Sequence, residues 1–271
     1  MSNEVVIRLG FFFSIFLLVA IWEQLVPRRS LTTSKKIHWF SNLTLTILNP
    51  LLLRLIFPFM AINMALIARQ RGWGLLNNFD LPNWLDLAIG IIALDLIVYL
   101  QHVMFHAIPI FWRLHMMHHA DLDYDLTTGL RFHPIEITLS MGIKVSVVAI
   151  LGPPVAAVLI FEIILNSAAV FNHGNVSLPK KMDRVLRYLI VTPDMHRVHH
   201  SVIIRKTNSN YGFNLPWWDR LFGTYCEQPA KGHTHMTIGL SQFREPKRLT
   251  LPWLLILPFI GDPGRQPINR H

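Results

Sequence analysis

Residues 99–120 read YLQHVMFHAIPIFWRLHMMHHA and hold five histidines: His102, His106, His115, His118 and His119. His102 and His106 lie four apart at the end of an apolar run. On a helix that spacing stacks both imidazoles on one face, about 5–6 Å apart at Cβ. Pro109 ends that helix, and HMMHH follows it as a second cluster. A third cluster, His196, His199 and His200, repeats the second far downstream. The spacings are HxxxH, HxxHH and HxxHH. Neutral imidazole is the commonest side-chain metal ligand and suits iron, zinc and copper. Eight clustered imidazoles exceed what one tetrahedral ion takes, so the pattern points to two metals. No box contains an acid. That departs from the Glu-x-x-His pairs of soluble di-iron bundles and from the HExxH of zinc proteases.

The elements that position these clusters are apolar spans. Residues 83–106 form one, and along it Asp95, Tyr99, His102 and His106 are spaced 4, 3 and 4, on one helical face. A carboxylate inside a membrane span is costly and by default functional. Either Asp95 or Tyr99 orients a ligating imidazole, or Asp95 satisfies a polar group on a neighbouring helix. Residues 5–26 are a 22-residue apolar run, long enough to span, with a lone Arg8 and no small-residue cleavage site. Arg28, Arg29, Lys35 and Lys36 follow it, which predicts a cytoplasmic loop and an outer N-terminus. Residues 39–68 carry Pro50, Arg54 and Pro58, so a kinked helix or two shorter pieces are expected.

Residues 121–131 are polar and acidic, and read as a loop at the membrane surface. Residues 137–170 are cut by Gly152-Pro153-Pro154 into segments of about fifteen and seventeen residues, a hairpin that re-enters or tilts. Its even return keeps the third box beside the first two. Glu162, inside the hairpin, needs a partner. Residues 182–191 have a helical pattern, residues 211–225 an aromatic one suited to a membrane interface, and residues 251–260 are too short to span. His38, His233, His235 and His271 read as surface residues, with His233 and His235 the runner-up ligand pair.

Composition agrees with a membrane setting. With 271 residues, 52% hydrophobic, only 15% charged and mean hydropathy +0.37, the chain reads as one integral-membrane domain over residues 1–271. The excess of 25 Lys and Arg over 16 Asp and Glu suits anionic lipid headgroups. These cations flank apolar spans rather than lining a groove, so no nucleic-acid partner is expected. The single Cys226 excludes an internal disulfide and an iron–sulfur cluster. No glycine-rich nucleotide motif or haem-binding segment is present.

The three boxes in this order resemble the membrane-bound fatty acid hydroxylase and sterol desaturase superfamily. Arg131-Phe-His133-Pro-Ile-Glu136, Asn172-His173-Gly-Asn175, Pro193-Asp194-Met-His196, and Asn210-Tyr-Gly-Phe213 followed by Trp218-Asp-Arg-Leu-Phe-Gly-Thr224 extend it over about residues 86–227. The resemblance implies an all-α polytopic protein of about four transmembrane helices, with a cytoplasmic helical cap carrying a histidine-rich di-metal site. Two iron ions are implied, with zinc as a substitute and O2 as co-substrate. His133 and His173 join the eight box histidines as ligands, four or five per metal. Asn172 and Asn175, flanking His173, are candidates to hydrogen-bond its second nitrogen, beside Asp95 and Tyr99 as supporting residues.

The implied reaction is oxidation of a C–H bond in a fatty acid, sterol or ether lipid. The tail over residues 210–224 favours hydroxylation over desaturation. Electrons must come from outside, from a ferredoxin or cytochrome b5-type protein landing on Lys180, Lys181, Arg184, Arg187, Arg205 and Lys206. The expected location is a bacterial inner membrane or the endoplasmic reticulum, with the site facing the cytoplasm. Two other classes use clustered histidines. A zinc-dependent lipid hydrolase would show fewer ligands and an adjacent Glu base. A membrane metal transporter would carry its ligands at mid-membrane.

Overall fold

The structure, a computed structural model, describes residues 2–260 and 262–264. Nine helices carry the architecture: α1 (Ser2–Leu25), α2 (Lys35–Ile56), α3 (Ala61–Arg71), α4 (Asn83–Ala107), α5 (Pro109–His119), α6 (Pro134–Leu151), α7 (Val155–Asn172), α8 (Lys180–Leu186) and α9 (Pro193–His199). Among the described residues there is no strand, only two isolated bridges.

Five helical stretches are long and apolar enough to cross a membrane: Glu4–Leu25, Lys35–Asn78, Asn83–Ala107, Pro134–Leu151 and Val155–Asn172. The expected four become five because the 137–170 hairpin is two full helices of 18 residues, each about 27 Å long. Hydropathy alone misses the first turn of α6. His133 caps it by accepting from the Ile135 amide at 3.2 Å, and Pro134 presets the first helical φ. Gly152, at φ +65°, closes α6 in a left-handed turn that a side chain would strain. The second apolar region divides at Pro58, giving α2 and α3, whereas Pro50 stays inside α2.

Helices α1, α4 and α7 run toward one face of the bundle, and α2, α3 and α6 run away from it. All three histidine boxes therefore gather at one face, with the basic loop of Arg28, Arg29, Lys35 and Lys36. The strap Arg28 N–H to Asn175 O, 2.9 Å, ties that loop to the exit of α7. Inside the bundle, Ala61, Ala65, Leu94, Val148, Val158 and Phe161 form one buried cluster. Small residues let backbones close up: a Cβ on Gly90 would lie 3.0 Å from Ala157 Cβ. Outward faces expose Leu9, Phe13, Leu17, Leu51 and Leu55, as lipid contact requires.

Two readings of the loops are corrected. The acidic segment 121–131 is not a surface loop: Asp121, Asp123, Asp125 and Arg131 are all buried. His38 is not a surface residue either. Its Nε2 meets Asp121 at 2.6 Å and its Nδ1 meets Asp125 at 3.3 Å, so burial of the charges is matched by pairing. Residues 251–259 pack on the cap, where Leu254 and Leu257 join Leu45, Trp112, Met116 and Met117 in a core cluster.

Candidate metal centre

Nine of the ten expected ligands converge, in two groups. His102, His106, His115, His119 and His199 form the first; His118, His173, His196 and His200 form the second. Within each group one ring nitrogen per residue lies within 4.8 Å of all the others. The local helices explain the division. Helix α4 presents His102 and His106 one turn apart. Helix α5 opens on Pro109, and its His115 and His119 face the first group while His118 faces the second. At the end of α9, His199 turns to the first group and His196 and His200 to the second. Each HxxHH box thus serves both groups, and His173, capping α7, completes the second.

The outward nitrogens of five of the nine rings are anchored by the protein, whereas Nδ1 of His196 and His200 is buried without a hydrogen-bond partner. Nδ1–H is donated by His102 to Tyr211 O at 2.8 Å, by His199 to Ser209 O at 2.8 Å, by His173 to Ala169 O at 2.8 Å and by His118 to Arg131 O at 3.2 Å. His115 Nδ1 meets Glu136 Oε1 at 2.7 Å. A carbonyl only accepts, so Nδ1 carries the proton and the inner Nε2 keeps its lone pair. Yet the Nε2 atoms of His118 and His173, both with Nδ1–H fixed by a carbonyl, sit 3.2 Å apart. Facing lone pairs repel at that distance unless a cation lies between them. Two ligands bound at about 2.0–2.1 Å to one ion are separated by about 2.9–3.4 Å. Buried Nε2 atoms of His102, His115, His199 and His200 have no protein partner. The donor set therefore fits two metal ions.

Electrostatics keep these rings neutral. Burial pushes His118, His119, His196 and His200 well below the ordinary imidazole range, and neighbouring imidazoles add to it. Burial likewise holds His173 and His199 down to about 3. Neutral imidazole is the ligating form, so metal uptake needs no proton loss near neutral pH. Behind the rings, burial alone would raise Asp121, but His38 and Arg131 hold it below the usual carboxylate range. Arg131 pairs with Asp121 at 3.3 Å, and its own carbonyl receives the His118 proton. Gly129 lets this loop touch α7: a Cβ there would collide with Ala169 O and lie 2.9 Å from His173 Nδ1.

Other expected residues stand elsewhere. His133 is outside both groups; its Nε2 donates to Leu255 O at 3.1 Å, and its Nδ1 caps α6. Asp95 touches no imidazole. It accepts from Asn214 Nδ2 and Trp218 Nε1, each at 2.7 Å, anchoring the segment that supplies the Tyr211 carbonyl. Tyr99 bonds Thr224 Oγ1 at 2.9 Å in the same segment. Asn172 donates to Phe213 O, and Asn175 exchanges bonds with the Arg29 backbone; neither reaches His173, whose Nδ1 takes the helical carbonyl four residues back. His233 is buried beside Asp194, and His235 is exposed. His271 lies outside the described residues. Glu136, which holds the His115 ring, is the contact that spacing alone missed; its place in the His-Pro-Ile-Glu motif, one turn from the helix cap, was the available signal.

A cavity of about 370 Å³ opens beside the two histidine groups. His102, His115, His118 and Glu136 line one end, and Leu53, Leu94, Val98, Phe105, Phe161 and Leu165 the middle.

Residues 87–224, about half of the chain, match the fatty acid hydroxylase family. Among curated relatives, the ornithine lipid hydroxylase OlsE of Rhizobium tropici is 28% identical over 158 residues, 58% of this chain and 46% of its own. An alkylglycerol monooxygenase of Xenopus tropicalis is 32% identical over 180 residues, 64% of this chain and 38% of its own. Methylsterol monooxygenase 2-2 of Arabidopsis thaliana is 26% identical over 183 residues, 63% of this chain and 66% of its own. The alignments thus cover less than half the length of the first two. No solved structure matches this chain.

Proposed function

We propose a function that starts from one fact: the chain belongs to the fatty acid hydroxylase family. It is an integral-membrane oxidoreductase that uses O2 to oxidise a C–H bond of a lipid, hydroxylating in preference to desaturating. The observation that carries this reading is the pair of buried, all-imidazole groups at the end of an apolar cavity inside the bundle. The proposed ligands are His102, His106, His115, His119 and His199 for one ion and His118, His173, His196 and His200 for the other. Bound there, two iron ions would supply O2 activation. Zinc competes for such sites, because it binds nitrogen ligands more tightly than Fe²⁺.

The chain's own groups do the rest. Backbone carbonyls and Glu136 hold His102, His115, His118, His173 and His199 with the free nitrogen inward. The apolar walls align a hydrocarbon chain and exclude water. Both electrons needed per turnover come from a separate carrier, a ferredoxin or cytochrome b5-type protein. Lys180, Lys181, Arg184 and Arg205 are exposed and suit an acidic partner, whereas Arg187 is buried against Asp183 and the Glu227 carbonyl and drops out of that surface. The basic loop of Arg28, Arg29, Lys35 and Lys36 supports a cytoplasmic placement of the box face.

Anaerobic purification, metal analysis and O2 uptake test the reading together. About two irons per chain and lipid-dependent O2 consumption with a chemical reductant are expected. One metal per active chain, or a zinc-filled protein that cleaves lipid without consuming O2, would overturn it.

A further inference from the structure

Three charged side chains meet at the far end of the cavity from the metals. Lys144 Nζ lies 3.0 Å from Glu162 Oε1, and Arg8 Nη1 lies 3.0 Å from Glu162 Oε2. All three line the cavity. Glu162 is ten residues before the end of α7, and Lys144 ten residues after the start of α6. At 1.5 Å per residue the cluster therefore stands about 15 Å from the histidine face, within the spans. One carboxylate cannot neutralise two cations, and Glu162 is the only anion paired with either among the described residues. The cluster keeps one net positive charge in an apolar setting, where an unmatched charge is expensive. Glu162 is nearly covered, while a third of the Arg8 side chain remains accessible.

We infer that Arg8 and Lys144 form an anion-binding subsite, which selects lipids bearing a carboxylate or phosphate at one end of the bound chain. The inference rests on the lipid reading of the cavity. The anion takes the surplus charge beside Glu162, and the chain runs back through Leu94, Phe105 and Phe161 to the metals. At about 1.25 Å per extended C–C bond, 15 Å corresponds to roughly a dozen bonds between the acidic group and the carbon presented to the metals. A neutral lipid would leave the surplus charge unmet and bind less tightly.

The test reads binding, not turnover, so failure of the oxygenase reading leaves it intact. Dodecanoate, dodecyl phosphate and dodecanol are titrated into the metal-loaded protein in phosphatidylcholine nanodiscs, with inorganic phosphate as a fourth probe. The two anionic chains should bind at least tenfold more tightly than dodecanol, and inorganic phosphate alone weakly. In Arg8→Gln/Lys144→Gln the preference should collapse to near parity with dodecanol affinity retained. Glu162→Gln, which removes the competing anion, should move it the opposite way and raise the preference. Equal affinity of the three chains for the wild type would overturn the subsite. So would a Glu162→Gln protein, still holding two metals, that loses affinity for all probes alike, since that marks a purely structural ion cluster. Tight binding of inorganic phosphate alone would also overturn it, because the chain would then play no part.

Discussion

Removing the Glu136 carboxylate tests whether a single side chain outside the ligand set tunes one metal and not the other. Glu136 Oε1 lies 2.7 Å from His115 Nδ1, and both residues are buried. In Glu136→Ala the His115 N–H is left without an acceptor in a dry site, a penalty of about 1–3 kcal/mol. Metal-ligand histidines that lose such a partner typically bind metal 10–100-fold more weakly, about 1.4–2.8 kcal/mol. The two ranges agree, so a loss near the middle is expected. Glu136→Gln retains an acceptor oxygen but loses the charge assistance, and should cost about tenfold or less.

The proposed grouping also predicts which ion is affected. His115 belongs to the five-histidine group, while in the four-histidine group the outer nitrogens of His118 and His173 rest on backbone carbonyls and no ring is held by Glu136. Titration of the loaded protein with a graded series of chelators should show one metal released early from the Ala variant. The other should leave at the wild-type chelator strength, with thermal unfolding of the loaded proteins as the folding control. Two metals released together at wild-type strength would refute this reasoning. Earlier release from the four-histidine group would refute the assignment of His115.

His133→Ala should keep two metals per chain and lose about 1 kcal/mol of stability with its helix cap, whereas His173→Ala should drop metal content to about one; metal analysis and thermal unfolding separate them. Gly129→Ala drives a methyl into the Ala169 carbonyl, so a destabilisation of about 1–3 kcal/mol and weaker binding at the four-histidine group are expected, read by the same two measurements. The metal-free protein should be acid-sensitive. His173 and His199 are held down to about 3, so below about pH 6.5 the unfolded chain binds protons that the folded one refuses. Stability is present above pH 6.5 and lost as pH falls toward 3, by about 1.4 kcal/mol per pH unit for each group. A melting temperature flat between pH 7 and 4 would contradict this.

How much was legible in advance follows from the range of each interaction. A turn of helix is local, so the spacing of His102 and His106, and of His115 and His119, already placed each pair on one face. Hydropathy located the spans because bilayer thickness sets helix length, and it missed helix ends that caps rather than hydropathy decide, as at His133 and Pro134. Partners are a different matter. Nothing in the order of residues says that His118 and His119, adjacent in the chain, belong to different groups; that depends on where the ends of α7 and α9 arrive. Asp95 and Tyr99 share a face with ligands, yet their bonds go to Asn214, Trp218 and Thr224, more than a hundred residues away. His38 and His133 look alike as lone histidines. Tertiary packing gives one two carboxylates and the other the Leu255 carbonyl, beside its local cap on α6. Ligand types and spans are thus properties of the sequence, set by side-chain chemistry and helical repeat. The division of nine histidines into two groups, and the residues that orient them, exist only once distant helix ends are brought together.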